Sequence, residues 1–171
     1  MKINQVNFTY VPLEDRLLFR FNTQDQVEFR MWLTRAKSLA LRDLLNESVK
    51  LDFQQQAQDL AQPAMQAVME FKRDAVLAGA DYKTVFSNQA ASFPLGEHPV
   101  LVADVALDSV PGAALLNLKL VSGQTLGLSL NHELGLAIGK LLSDVLNGVD
   151  WGAGSVHSVV MADANSAVMM H

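Results

Sequence analysis

The chain contains no cysteine, and this absence excludes disulfide bonds, thiolate nucleophiles and thiolate metal sites together. Charge is also scarce, because charged residues make up 18% of the 171 residues whereas hydrophobic residues make up 50%. This composition is more apolar than that of an average globular domain, so the excess must be buried in the core or against a partner. The formal net charge of −5 opposes binding to nucleic acid and to anionic membranes.

Long hydrophobic runs are absent as well. No apolar stretch approaches the roughly 18 residues that a membrane span requires. Residues 1–10 alternate polar and apolar side chains and lack the apolar region of a signal peptide. We therefore expect a cytoplasmic protein that makes no membrane contact.

Motifs that carry catalytic chemistry are missing from the sequence. It has no serine in a Gly-x-Ser-x-Gly elbow, no His-Glu-x-x-His motif and no glycine-rich phosphate loop that opens a helix. The histidines share no metal-ligand spacing: His98, His132, His157 and His171. We therefore predict no catalytic residue, no metal site and no cofactor, and we favour a non-enzymatic role.

What the chain does contain is an internal similarity. Residues 3–33 and 102–132 align without a gap at an offset of 99, with four identical pairs and coinciding hydrophobic positions. A match at a fixed period indicates a repeated folding unit. Alternation of polar and apolar residues within each segment predicts strands with one buried face.

The first unit predicts a hairpin register. Phe21 is expected to face Val27 and Phe19 to face Phe29, because side chains across an antiparallel pair share a face. This register places Arg20 on the opposite face, across from Glu28.

A helix is expected after each set of strands. Thr34 caps the first, which continues at helical spacing to Gln62 before Pro63 kinks it or starts another helix. Asn131 caps the second helix. We predict an α+β fold of two β-meander–helix repeats, each with about three antiparallel strands and then a helix. The repeats are expected in a pseudo-twofold relation, with the long central helical segment kinked near Pro63.

A single domain is expected to span the 171 residues. Its parts are two repeat units (residues 1–50 and 99–149), a joining helical segment (residues 51–78), a connection (residues 79–98) and a docked tail (residues 150–171). The connection is long for a compact domain, and Tyr82, Phe86 and Phe93 are expected to pin it to the surface. It drapes over the fold or acts as a lid above a small-molecule site, which is one alternative function.

Two rows of small residues predict a helix-packing or dimer face. The first row is Ala57, Ala61 and Ala64, and the second is Gly135 and Gly139. Glycine inside a helix is unfavourable by about 1 kcal/mol relative to alanine, so a pair one turn apart indicates close backbone approach. Together with the apolar excess and the nearly uncharged tail, these rows predict a homo-oligomer, most simply a twofold dimer.

One exposed cluster suggests an anion or single-stranded nucleic-acid contact: Arg16, Arg20, Arg30, Trp32 and Arg35. Arginines supply charge for phosphates and an aromatic ring stacks on bases. The alternative interpretation is that Glu28 neutralises Arg20 and that the connection or a partner covers Trp32 and Leu18. The net acidic charge favours this second interpretation.

The predicted layout resembles the sheet–helix repeats of the Whirly and Pur families of single-stranded nucleic-acid binders. Those families use four-strand units, whereas three strands are found here, so the resemblance assigns no binding residue. The run DRLLFRFNT…EFRMWLTR within residues 15–35 is similar to a set of small bacterial proteins without an assigned activity. That similarity implies no chemistry.

Three functions stay open at this point. The leading one is a non-enzymatic protein-interaction or scaffold module that acts as a homo-oligomer. The alternatives are nucleic-acid or anion binding by the arginine hairpin, and a small-molecule site under residues 79–98.

Overall fold

The fold is seen in a computed structural model that describes residues 2–56, 84–87, 89–110, 113–149 and 151, with positions 67, 68, 70, 71, 74, 75 and 78. The helices and strands whose bounds fall within the described ranges are, in chain order, β1 (Ile3–Val11), β2 (Arg16–Thr23), β3 (Glu28–Leu33), α1 (Arg35–Gln56), β4 (Val100–Val110), β5 (Ala113–Leu120), β6 (Thr125–Leu130) and α2 (His132–Asn147). Side chains of α1 are described as far as Leu51. No helix in these ranges is long and apolar enough to cross a membrane.

The six strands form one mixed sheet in the order β1-β2-β3-β4-β5-β6. Neighbouring strands are antiparallel except for β3 and β4, which run parallel. The parallel contact is short, since it joins Met31 to Val100 and Trp32 to Leu101. A parallel neighbour requires a crossover, and the chain from α1 to residue 99 provides it.

The predicted fold class is therefore wrong in its architecture, although the α+β class is correct. Among the elements whose bounds are described, the chain forms one continuous mixed sheet with two helices rather than two β-meander–helix repeats. A twofold axis would exchange the two ends of the sheet, whereas the chain order runs once across it from β1 to β6. The predicted pseudo-twofold relation therefore does not exist. The predicted kink at Pro63 lies outside the described residues.

The predicted hairpin register is also wrong, by two residues. Phe21 pairs with Phe29 and Phe19 pairs with Met31, because the loop between β2 and β3 has three residues, 24–26, rather than five. Gln26 closes this loop with a φ of 58°. A type I turn followed by a left-handed residue is the usual three-residue hairpin loop. A shift of two preserves the face of every side chain, so each residue lies on the inner or outer face that the alternation predicted.

The second hairpin closes in the same way. The amide of Leu120 donates to the carbonyl of Gln124 at 2.8 Å, and Gly123 has a φ of 88°. The ungapped alignment of residues 3–33 with residues 102–132, at an offset of 99, does not hold for the second strand of each hairpin. Because 113 − 16 = 97, strands β5 and β2 begin 97 residues apart.

One hydrophobic core lies between the sheet and the helices. Side chains from the inner face of all six strands pack with Leu41 and Leu45 of α1 and with Ile138 and Leu142 of α2. These helical residues lie four apart, which places each pair on one side of its helix. As predicted, Asn131 caps α2, since its Oδ1 accepts from the amide of Leu134 at 2.8 Å.

Gly123 provides a test of the hairpin geometry. Gly123→Ala is expected to lower the free energy of unfolding by about 1 kcal/mol, because a left-handed φ is unfavourable for alanine. Space is not the cause, since a Cβ at Gly123 would meet nothing within 4 Å. Chemical denaturation measures the change.

Gly135→Ala is the matched control. A Cβ at Gly135 also meets nothing within 4 Å. Because Gly135 lies inside a helix, alanine is expected to stabilise the chain by up to about 1 kcal/mol. Equal effects at the two sites would contradict the assigned loop geometry.

Candidate functional site

Residues 84–87 and 89–99, here called the strap, cross the outer face of the first three strands. At one end Gln5 of β1 holds the strap, because its Oε1 accepts from the amide of Ser87 at 2.9 Å and its Nε2 donates to the carbonyl of Val85 at 3.3 Å. At the other end the amide of Glu28 in β3 donates to the carbonyl of Ser92 at 3.0 Å. The strap therefore spans from β1 to β3, as the draping interpretation of this segment predicted.

A buried ion cluster lies under the strap. The side chain of Glu28 is completely buried, and Arg30 Nε donates to its Oε1 at 2.8 Å. Arg20 Nη1 lies 4.0 Å from the same oxygen. The strap covers both guanidiniums with rings, since Phe86 stacks on Arg20 and Phe93 on Arg30, each at 4.4 Å. Phe86 and Phe93 thus pin the strap, as predicted, while Tyr82 lies outside the described residues.

Burial disfavours the charged form of Arg20 in this cluster. Burial lowers the pKa of Arg20 from its ordinary value, and the charge of Arg30 acts in the same direction, whereas Glu28 opposes both. The second oxygen of Glu28, Oε2, is buried without a hydrogen-bond partner in the described part of the chain. The rings of the strap therefore enclose an ion pair whose desolvation is costly.

The proposed anion-binding residues are not gathered on one open face. Arg20 and Arg30 are engaged by Glu28 and stacked under rings. Arg16 lies 3.9 Å from Glu14. Trp32 is half-buried, with Leu18 and Leu101 beside it in the neighbouring strands.

The last member of that set, Arg35, belongs to a different part of the molecule. It is exposed at the first turn of α1, with its guanidinium 6.0 Å from the ring of Trp151. These contacts leave less free charge for phosphate than the sequence suggested. Nucleic-acid binding by this set stays a prediction.

The small-residue face is described only in part. A Cβ added at Gly139 would lie 3.9 Å from the Cβ of Leu45, so α1 and α2 contact each other there. Gly135 has nothing within 4 Å of such a Cβ. Ala57, Ala61 and Ala64 lie outside the described residues, and the predicted dimer face stays a prediction.

Trp151 is fixed against the turn between β1 and β2. Asp15 Oδ1 accepts from the indole Nε1 of Trp151 and from the hydroxyl of Tyr10, each at 2.8 Å. The rings of Tyr10 and Trp151 meet edge to face with centroids 5.8 Å apart. The hydrogen bond from Tyr10 and then that from Trp151 lower the pKa of Asp15 from its ordinary value.

A groove of about 420 Å³ runs beside β1 at the edge of the sheet. Residues 3–7 of β1 line it, Leu134, Ala137 and Leu141 of α2 form one wall, and Thr84 and Phe86 of the strap form the other. Its volume lies within the range of sites that hold ligands. Among the described strands, β1 pairs with β2 alone, so its other edge faces this groove.

This groove was not predicted from the sequence. The apolar stripe of α2 and the polar residues Asn4, Gln5 and Asn7 are visible in the sequence. Their proximity depends on β1 lying at the edge of the sheet and on α2 packing beside it, and both are long-range features. Of its lining, the sequence predicted only that Phe86 pins the connection to the surface of the fold.

Glu28→Gln tests the ion cluster. Removing the carboxylate charge leaves two partly buried guanidiniums without their counter-ion, so we expect a loss of about 2–4 kcal/mol in the free energy of unfolding. Glu14→Gln is the control, because the pair of Glu14 with Arg16 is largely exposed and is expected to change stability by less than about 0.5 kcal/mol. Comparable effects of the two changes would show that the cluster does not stabilise the fold.

The lowered pKa of Asp15 predicts how the free energy of unfolding changes in acid. Because its pKa is lower in the folded than in the unfolded chain, its stabilising effect is present above the unfolded pKa of about 3.9. That effect is lost as the pH falls through the folded pKa. Asp15→Asn is expected to lose less stability than the natural chain between about pH 5 and about pH 2.

Asparagine suits this position because it tolerates the φ of 47° at residue 15 and keeps an acceptor oxygen. Trp151→Phe is the companion variant, since it removes one of the two donors to Asp15. It is expected to show an intermediate acid dependence. The free energy of unfolding of all three proteins is measured by denaturation at a series of pH values. If it falls equally with falling pH in all three, the role of Asp15 is contradicted.

Comparison with protein families, with curated proteins and with solved structures found no match to this chain. The function is therefore inferred from the geometry of the groove and of the strap.

Proposed function

We propose that this protein is a non-enzymatic protein-interaction module that binds an extended polypeptide strand in the groove beside β1. The observation that carries the proposal is the combination of a sheet edge with two walls. An extended peptide that adds to a sheet edge gains main-chain hydrogen bonds, and pockets for alternate side chains give specificity. β1 provides the edge, and α2 and the strap provide the pockets.

The two walls predict which peptides fit. Side chains of an added strand point alternately to the two faces of the sheet. Those on the inner face meet Leu134, Ala137 and Leu141, so apolar residues are favoured at these positions. Those on the outer face meet Thr84 and Phe86, beside the polar side chains of β1. The preferred ligand alternates apolar and small polar residues.

The uncharged lining further restricts which peptides are expected to bind. No lining residue in the described part of the chain carries a charge. A charged peptide would lose solvation there without gaining a counter-ion. The lining residues that the structure describes also supply no carboxylate, imidazole or amine for acid–base chemistry, which supports binding rather than catalysis.

Self-association stays a prediction. The apolar excess that motivated it is shared between the described core and residues outside the described ranges. Light scattering at micromolar concentration tests it, with a monomer mass of 18.7 kDa as the value that would contradict it.

Peptide titration tests the groove. The probe is a blocked heptapeptide, Ser-Thr-Val-Thr-Val-Thr-Val, added to the isotope-labelled chain at up to about millimolar concentration. We expect amide shifts confined to residues 3–7 and to the groove side of α2. Ala137→Glu places a charge in the apolar wall and is expected to weaken binding by at least about tenfold.

Ala106→Glu is the matched control. It makes the same change at an exposed position of β4, away from the groove, and is expected to leave peptide binding unaltered. Shifts that scatter over the surface, or that persist in Ala137→Glu, would contradict the proposed function.

A further inference from the structure

We infer that the groove beside β1 binds a second copy of this chain, whose own β1 pairs antiparallel with β1 across a twofold axis at Val6. This inference rests on the proposed function and names the partner strand. It follows from the unprotected edge of β1, from the absence of charge in β1 and in the described groove lining, and from the position of α2 beside that edge.

β1 lacks the sequence features that keep sheet edges from pairing. Proteins protect exposed edges with charged residues, proline, bulges or very short strands. β1 has nine residues, Ile3–Val11, and contains neither a charged residue nor proline. Its register with β2 shifts between Ile3 and Gln5, and the pairing is regular from Gln5 to Val11. The edge is therefore long and regular enough to accept another strand.

The position of the groove sets the register of this pair. Residues 3–7 line the groove, and residues 5–7 are the part with regular pairing. Pairing residues 5–7 with the same residues of the second copy places Val6 opposite Val6, and Gln5 opposite Asn7. Side chains across an antiparallel pair must share a face. Val6 lies on the inner face, whereas Gln5 and Asn7 lie on the outer face, so this register satisfies the requirement.

The contact brings no like charges together. β1 carries no charge, and no groove-lining residue in the described part of the chain is charged. The net charge of −5 repels two copies at a distance, but salt at 0.1 M screens that repulsion over about 10 Å. The cores of protein interfaces are depleted in charged residues. An uncharged edge beside an uncharged groove is thus complementary to its own copy.

The twofold axis also brings the α2 helices of both copies to the same side of the sheet. An axis perpendicular to the sheet relates antiparallel strands and keeps both inner faces together. Leu134, Ala137 and Leu141, which are half-buried in the single chain, then face the same residues of the second copy. A specific interface buries about 800 Å² per partner, more than three strand residues provide. α2 therefore supplies the apolar part of a contact that closes at two copies.

Dimerisation and peptide binding exclude each other in this arrangement. Both use the free edge of β1, which accepts one strand. An external strand therefore binds only the dissociated chain. Its apparent affinity falls as the protein concentration rises, because the competent fraction of the chain falls.

Single-cysteine variants test the contact, since the chain has no cysteine of its own. In Val6→Cys the two thiols lie at the twofold axis, where residues directly opposite in an antiparallel pair have Cβ atoms about 4.5–5.5 Å apart. A disulfide-linked dimer is expected to form at least about tenfold faster than in Thr125→Cys. Thr125 is exposed on β6, at the other end of the sheet, so the control thiol is the more accessible of the two.

Light scattering checks the contact without a cysteine. At high micromolar concentration the natural chain is expected to have a mass near twice 18.7 kDa. Ala137→Glu is expected to be a monomer, because two carboxylates then face each other across the axis. Ala106→Glu makes the same change at an exposed position of β4 and is expected to remain a dimer.

These measurements separate the outcomes. Faster cross-linking of Val6→Cys, together with a dimer that Ala137→Glu dissociates, supports the inference. Equal rates in the two cysteine variants would overturn it, as would a monomer mass for the natural chain. A dimer that persists in Ala137→Glu would place the contact elsewhere and would also overturn it.

Peptide binding then separates the inference from the proposed function. The Ser-Thr-Val heptapeptide is titrated into Val6→Cys before and after oxidation. Loss of binding on oxidation, with recovery on reduction, supports the inference, because the second copy then occupies the groove. Equal binding by both forms leaves the groove functional and overturns its occupation by a second copy. No binding by the reduced variant or by the dilute natural chain would contradict the proposed function, and the cross-linking rates would still decide whether two copies pair.

Discussion

The short parallel contact between β3 and β4 determines the rest of the architecture. It joins two antiparallel meanders through Met31–Val100 and Trp32–Leu101, and without it the chain would have two small sheets. Because β4 lies next to β3, β1 is left at the end of the sheet. Because the contact is parallel, the chain must cross from one end of β3 back to the other. The returning chain includes the strap, so one topological constraint produces both the exposed edge and the wall beside it.

The strap, the groove and the Arg–Glu ion cluster share residues. Phe86 covers Arg20 and also lines the groove, and Gln5 holds the strap while lining the groove from β1. The buried carboxylate of Glu28 fixes the two guanidiniums on which the strap rings stack. Phe86 and Gln5 therefore belong both to the cover of the ion cluster and to the lining of the groove. This explains why arginines beside a tryptophan, which suggest a nucleic-acid surface in the sequence, here support a polypeptide segment.

The sequence predicted local features and missed long-range ones. The face of each strand residue was correct, because period-two alternation survives a shift of two; Phe19 and Phe21 are buried as expected. The register was wrong because Gln26 adopts a left-handed φ, which alternation does not report. The architecture and the groove were missed because the neighbour of β3 is set by a contact some seventy residues away in sequence, from Met31 to Val100.

The two ends of the sheet differ in a way that bears on function. β6 has six residues and presents Thr125, Gly127 and Ser129 to solvent, so it offers a short and polar template. β1 has nine residues and an apolar wall beside it, which makes it the stronger template for another strand. An edge of this kind invites uncontrolled pairing unless it is covered.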